Sequence, residues 1–300
     1  METRPPRLIG RFDARLRYTL AALAVMTFVA GCGSSESGEV VAGAGDLVHV
    51  HDLTIDADGT VLVASHTGLW RIDATDRAVL VGSERHDLMA MTALDDGTLL
   101  VSGHPDLRLE EYHVEDRPPF FGLTASRDGG QTWEVVDLLG ETDFHALVAL
   151  PDRLYAAETA GRIWRRDADG SWEQLGELEA RDLAVDPSDP DRLVGTDWDG
   201  RLSVSYDGAV SWEAVSDAPS MIEVEWLGSG GLVGVAEDGT IFTATDPAGP
   251  WATHGSAPGE VETLHVEGVT WWVTTHGGTI ATSTDEGASW TGAYEAPRPS

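Results

Sequence analysis

Histidine and carboxylate side chains recur at two positions of a repeated unit in this 300-residue chain. One position lies at the expected start of the first strand of each unit, and the other at the expected end of its second strand. The residues at the two positions are His51, His86, His145, Arg181 and Glu262, and His66, His104, Glu158, Asp197, Glu237 and His276. Neutral imidazoles and carboxylates suit divalent transition metals. The six histidines of these two sets therefore form a candidate metal site, provided that the fold brings the units together.

The unit itself is marked by an eight-residue stretch that occurs at 126–133, 205–212 and 283–290. Each copy pairs an aspartate with a tryptophan five residues later: Asp128 with Trp133, Asp207 with Trp212, and Asp285 with Trp290. The aspartate can accept hydrogen bonds from N–H groups inside a turn, glycine permits positive φ, and tryptophan can hold the turn against a sheet. We therefore interpret these aspartates as structural turn residues. The three stretches are called the Asp turns below.

Tryptophans at 133, 172, 212, 251 and 290 recur at intervals of 39 or 40 residues. A period of about 40 residues is typical of a propeller blade, which has four short strands and four turns. Residues 46–300 are thus expected to form an all-β, six-bladed propeller with four-stranded antiparallel blades. Strand direction places the two histidine-bearing positions on one face and the Asp turns on the opposite face. An insertion at 105–121 interrupts the period and is expected to hang over the histidine-bearing face.

The Asp turns resemble the Asp-box, or BNR repeat, of sialidases, sortilin-type receptors and bacterial glycosidase-like proteins, over residues 46–297. In that family the box lies between the third and fourth strands of a blade, and non-enzymes also carry it. The resemblance implies a glycoside hydrolase-like propeller, with Glu158, Glu237 and Glu110 as candidate catalytic carboxylates. Tyr112 is the one stand-in for the sialidase nucleophile. The family's Arg-Ile-Pro signature and a clear arginine triad are missing, which disfavours sialidase activity.

Three functions therefore stay open for the histidine-rich face. It can act as a hydrolase of envelope or extracellular glycans, as a site for a divalent transition metal, or as a non-catalytic surface that binds an envelope protein. An enzyme requires a carboxylate pair in a pocket, whereas a metal site requires three or four converging ligands.

The first 45 residues predict export and lipid anchoring. An arginine-rich start, an apolar run at 18–30 and the sequence Val29-Ala30-Gly31-Cys32 resemble a lipoprotein signal peptide (1–31) with a lipidated cysteine. Residues 32–45 then form a flexible tether. The net charge of −32 includes no lysine and disfavours nucleic acid as a partner. We expect a monomer outside the cytoplasmic membrane, held there by lipid on Cys32.

Overall fold

The computed structural model describes residues 39–297 except Val48 and Ala57, and these form six four-stranded antiparallel sheets. The strands of blades 1 to 3 are β1 (Val50–Ile55), β2 (Val61–Ser65), β3 (Gly68–Ile72), β4 (Ala78–Leu80), β5 (Asp87–Ala93), β6 (Leu99–His104), β7 (Leu123–Ser126), β8 (Glu134–Asp137), β9 (Phe144–Leu150), β10 (Arg153–Glu158), β11 (Arg162–Asp167) and β12 (Trp172–Glu177). The strands of blades 4 to 6 are β13 (Ala180–Asp186), β14 (Asp189–Asp197), β15 (Leu202–Ser205), β16 (Glu213–Ala214), β17 (Glu223–Trp226), β18 (Leu232–Val235), β19 (Thr240–Ala244), β20 (Ala252–Ser256), β21 (Val261–Glu267), β22 (Thr270–Thr275), β23 (Ile280–Ser283) and β24 (Thr291–Tyr294). The predicted six-bladed β-propeller is confirmed.

The first strand of every blade faces the axis of the ring. β1, β5, β9, β13, β17 and β21 each contact the first strands of both neighbouring blades, including β21 with β1. Because every blade consists of four consecutive strands, no strand is exchanged between the first and last blades within the described residues. The ring therefore closes through packing between blades 6 and 1.

The chain joins blade 1 before β1 begins. Val41 pairs with Val79 on the outer strand β4, and Ala42 N–H donates to the Ala78 carbonyl at 2.9 Å. The compact unit starts at Glu39, seven residues before the expected start at 46. The predicted signal peptide, Cys32 and the tether as far as residue 38 lie outside the described residues. No helix in the described part of the chain is long and apolar enough to span a membrane.

The Asp turns connect the third and fourth strands of blades 2, 4 and 6, as the Asp-box resemblance implies. In the first of them, Thr132 donates to Asp128 through its amide at 2.9 Å and through its hydroxyl at 2.6 Å. These hydrogen bonds lower the pKa of Asp128 to about 2. The same set of bonds occurs at Asp207 and Asp285. All three aspartates thus accept hydrogen bonds from their own turns.

The insertion at 105–121 packs against the side of the ring. It contains the short 3₁₀ helix Glu110–Tyr112, and Tyr112 and Phe121 are buried with Leu69 and Val81 of blade 1. Its tyrosine hydroxyl donates to the Trp133 carbonyl at 3.3 Å. Its apolar side chains pack in the groove between blades 1 and 2, and Phe120 contacts His104 at the end of β6, with ring centroids 5.9 Å apart.

Candidate functional site

At least one residue from the first strand of each blade lines a cavity of 280 Å³ at the axis, which we call the axial mouth. These residues include His51, Met89, His145, Arg181, Glu223 and Glu262. In five of the six first strands, all but β17, the residue is the extra one of a β-bulge. A bulge inserts one residue into an antiparallel pair and re-aims its side chain. The repeated bulge is thus the local feature that turns these side chains into the mouth.

His51, His66 and Asp87 converge beside this mouth and are called the axial triad. Nε2 of His51 lies 3.3 Å from Nδ1 of His66, and the same His66 atom lies 2.7 Å from Oδ1 of Asp87. The remaining edge, from His51 Nε2 to Asp87 Oδ1, is 3.9 Å. A tetrahedral ion with bonds of about 2.1 Å needs ligand atoms about 3.4 Å apart. Small side-chain rotations would meet that requirement, and three ligands leave a fourth position for water or substrate.

The protonation states of the triad suit a metal ligand set. Burial, with the neighbouring His66 as a second cause, lowers the pKa of His51 to about 4, so its imidazole is neutral at pH 7. Burial opposes ionisation of Asp87, but the neighbouring imidazoles of His104 and His66 outweigh it and keep the Asp87 pKa below its usual range. Metal ligands must be deprotonated to bind. At least these two residues meet that condition at neutral pH.

Histidine and aspartate side chains continue from Asp87 of the axial triad into blade 3. His104 lies 3.5 Å from Asp87 and 3.5 Å from Asp143, and Asp143 accepts a hydrogen bond of 3.0 Å from His145. β5 pairs Asp87 directly with His104, which explains why both occupy the same corner of blade 2. The neighbouring carboxylate of Asp87 raises the pKa of His104. His104, Asp143 and His145 therefore form a chain of alternating imidazoles and carboxylates that can orient Asp87.

A second set of three ligands, called the closure cluster, lies where blades 6 and 1 meet. It consists of His49, Glu262 and His276, whose ligand atoms all lie within 4.8 Å of one another. Oε1 of Glu262 is 3.5 Å from Nδ1 of His49 and 3.1 Å from Nδ1 of His276. His49 contacts His66 of the axial triad, with ring centroids 5.5 Å apart. The two sets are adjacent but share no ligand.

The other candidate histidine and most catalytic candidates lie elsewhere. The structure does not bring His86 to the mouth, because the bulge of β5 is at Met89 and not at the strand start. Its ring is 1% exposed, bonded to Glu84 at 2.6 Å and to the amide of Asp106 at 2.9 Å. Burial lowers the pKa of His86. His86 thus packs the insertion against blade 2.

Among the four catalytic candidates, only Glu237 lines the axial mouth. Glu158 is buried and accepts from Trp164 at 2.6 Å and from Arg162 at 2.8 Å. Tyr112 is buried in the insertion, and burial raises its pKa to about 12, which makes it a poor nucleophile at neutral pH. Glu110 belongs to the same insertion and does not line the mouth. The residues proposed for glycoside hydrolysis are therefore not gathered in one pocket.

Four carboxyl groups occupy the axis below the mouth, around a second cavity of 260 Å³: Asp52, Asp182, Glu223 and Glu225. Asp52 accepts from the Met91 amide of the next blade at 2.8 Å, and Asp182 does the same for Val224. Burial raises the pKa of Asp52 to about 7 and that of Asp182 to about 6. Burial, followed by the charge of Asp182, raises the pKa values of Glu223 and Glu225 well above their usual range.

This acidic axis predicts how stability changes with pH. When the pKa of a carboxyl is higher in the folded than in the unfolded protein, the fold loses stability as pH rises from the unfolded-state pKa to the folded-state pKa. We expect Glu225→Gln to be more stable than the wild type at pH 8 by more than about 1 kcal/mol, and nearly equal to it at pH 5. Urea unfolding at both pH values measures this, with the exposed Glu267→Gln as the control. A difference that does not change with pH would contradict it.

The wall of the mouth opposite the triad carries Arg181 and Trp198. The Arg181 guanidinium lies 5.6 Å from the Trp198 ring, and its Nε is 3.6 Å from Glu223. Trp198 is 54% exposed, which is unusual for so large an apolar side chain. An exposed aromatic ring beside the mouth offers a surface on which a bound molecule can stack.

Sequence reasoning missed His49 and Asp143. His49 precedes β1 by one residue and belongs to no repeat position, and Asp143 precedes the aligned start of β9. The alternation of His49, Val50 and His51 was a usable signal, because residues two apart on an extended chain point to the same side.

No protein-family model matches the chain, and no curated protein sequence matches it. Solved structures do match. YCF48 bound to D1 peptide is 16% identical, with 85% of this chain and 84% of that chain covered and a TM-score of 0.55. A catalytically inactive virginiamycin B lyase from Staphylococcus aureus with quinupristin is 12% identical, covering 86% and 88%, with a TM-score of 0.55. At these identities the likeness shows the propeller fold alone.

Proposed function

We propose that this protein binds a divalent transition metal at the axial triad and presents it to a ligand in the axial mouth. The observation that carries the proposal is the convergence of His51, His66 and Asp87, with edges of 3.3, 2.7 and 3.9 Å. Two imidazoles and one carboxylate with a free position form an open site, as in metal-dependent enzymes, and not a closed structural one. Zinc, manganese and iron are the ions that this ligand set accommodates best.

A ligand in the mouth would lie between the metal and the wall of Arg181 and Trp198. The two neighbours support a binding role for this fold, since their structures hold a peptide and quinupristin. The proposal includes action on an envelope or extracellular glycan only as metal-assisted chemistry, because the candidate catalytic carboxylates do not share one pocket. A purely non-catalytic binding surface is the alternative.

The proposal includes export and lipid anchoring at Cys32, which the first 32 residues support. Only seven residue steps separate Cys32 from Glu39, where the compact unit begins. A fully extended chain of that length spans at most about 25 Å, so the propeller would stay close to the membrane surface. Cell fractionation tests this part, and an unprocessed soluble protein would contradict it.

The metal is tested by equilibrium dialysis of the purified protein against Zn²⁺, followed by elemental analysis. His66→Gln should bind about one equivalent less than the wild type, because it removes the ligand shared by both short edges of the triad. The control is His113→Gln, an exposed histidine of the insertion, which should bind as the wild type does. Equal Zn²⁺ content in wild type and His66→Gln would overturn the triad.

A further inference from the structure

Within the described residues, no strand is exchanged between the last and first blades to lock their junction. It is held instead by side chains. Leu47, Trp70, Ile280 and Tyr294 share one apolar cluster across the junction. Polar contacts cross it as well, and in one of them the amide of Val50 donates to Oε2 of Glu262 at 3.0 Å.

That contact fixes the carboxylate of the closure cluster. With Oε2 held by the backbone of blade 1, the other oxygen of Glu262 faces the rings of His49 and His276. The backbone of His276 is held in turn, because its amide donates to the Glu260 carbonyl at 2.8 Å. Two of the three ligands are thus placed by main-chain hydrogen bonds before any ion binds, which lowers the cost of assembling a site.

The exposure of the cluster suits an ion that exchanges with solvent. The side chains of His49 and His276 are 52% and 55% exposed, whereas that of Glu262 is 15% exposed. The ring centroids of the two histidines are 5.4 Å apart, so both imidazoles approach one carboxylate from the same side. An ion between them would have open positions for water.

We propose that His49, Glu262 and His276 bind a second divalent transition metal that closes the ring. This inference rests on the proposed function in its choice of metal, but it uses a separate set of ligands. His49 belongs to the segment leading into blade 1, whereas Glu262 and His276 belong to blade 6. The ion therefore bridges the ends of the ring, while the axial triad bridges blades 1 and 2. An ion that binds the folded chain and not the unfolded one stabilises the fold by mass action.

The experiment combines Zn²⁺ stoichiometry, thermal unfolding and hydrogen exchange in wild type, His276→Gln, His66→Gln and the control His113→Gln. Wild type should bind two equivalents and each single-site variant one. Saturating Zn²⁺ should raise the wild-type Tm by about 5 °C or more. In His66→Gln, Zn²⁺ should still slow exchange in residues 39–50 and in β21–β24. In His276→Gln that slowing should be lost, while protection around β5 and β6 remains.

The outcomes separate the two proposals. If His276→Gln binds as much Zn²⁺ as the wild type and keeps the protection of residues 39–50, the closure site is refuted, whatever happens at the triad. If His66→Gln keeps the wild-type content while His276→Gln loses one equivalent, the triad is refuted and the closure site stands. Wild type that binds no Zn²⁺ refutes both.

Discussion

Gly278→Ala is expected to destabilise the protein by about 3–5 kcal/mol, far more than the same change at its neighbour Gly277. Both glycines lie in the turn between β22 and β23 and have positive φ, +78° and +96°. A Cβ at Gly278 would lie 2.2 Å from the carbonyl oxygen of Leu47, whereas a Cβ at Gly277 would meet nothing within 4 Å. Both variants carry the strain of an L-residue at positive φ, about 1–2 kcal/mol. Only Gly278→Ala also displaces the segment that closes the ring.

Urea unfolding of both variants measures the difference, and Zn²⁺ binding adds a second readout. Displacing Leu47 moves His49, so Gly278→Ala should also lose the equivalent assigned to the closure cluster, while Gly277→Ala keeps it. Because the free energy of unfolding of a domain is only about 5–15 kcal/mol, Gly278→Ala is expected to remove much of it. Equal destabilisation of the two variants would show that the contact with Leu47 does not hold the ring together.

The sequence predicts the ring well because its signals are local and repeated. Each Asp turn needs its aspartate, its small residue and its tryptophan within eight positions. The three copies lie two periods apart, and Trp172 and Trp251 between them reveal the period of 39 or 40 residues. In blade 1, turn residues such as Asp58 and Gly59 separate β1 from β2. Fold and blade number follow from this periodicity alone.

The site is harder to predict because it depends on single-residue irregularities. A bulge adds one residue to a strand without an obvious sequence signal, and it decides which side chain turns to the axis. That is why Met89 lines the mouth and His86 does not. His49 depends on long-range packing, since Leu47 and Tyr294 place it beside blade 6. The insertion was equally unpredictable, because its burial depends on a groove between two blades.

Asp87→Asn should lower Zn²⁺ affinity at the axial triad by at least about 100-fold, and Asp143→Asn by only about 10-fold. Asp87 contacts both triad histidines through Oδ1, at 2.7 Å to His66 and 3.9 Å to His51. Asparagine keeps the size of the side chain but removes the charge that neutralises a divalent ion. Asp143 is paired with His104 and His145 and not with a triad histidine in the described part of the chain, so it acts on the ion through the orientation of Asp87.

The two variants distinguish two positions for the ion, one beside Asp87 and the other beside Asp143. Calorimetric titration of each variant with Zn²⁺, in the His276→Gln background, isolates the triad from the closure cluster. Thermal unfolding without metal shows whether each variant is folded. If Asp143→Asn weakens binding as much as Asp87→Asn does, then the ion lies between His104 and His145 and the triad is wrong. If only Asp87→Asn has the large effect, the carboxylate of Asp87 is a direct ligand. Asp143, which is connected to Asp87 through His104, then does not contact the ion.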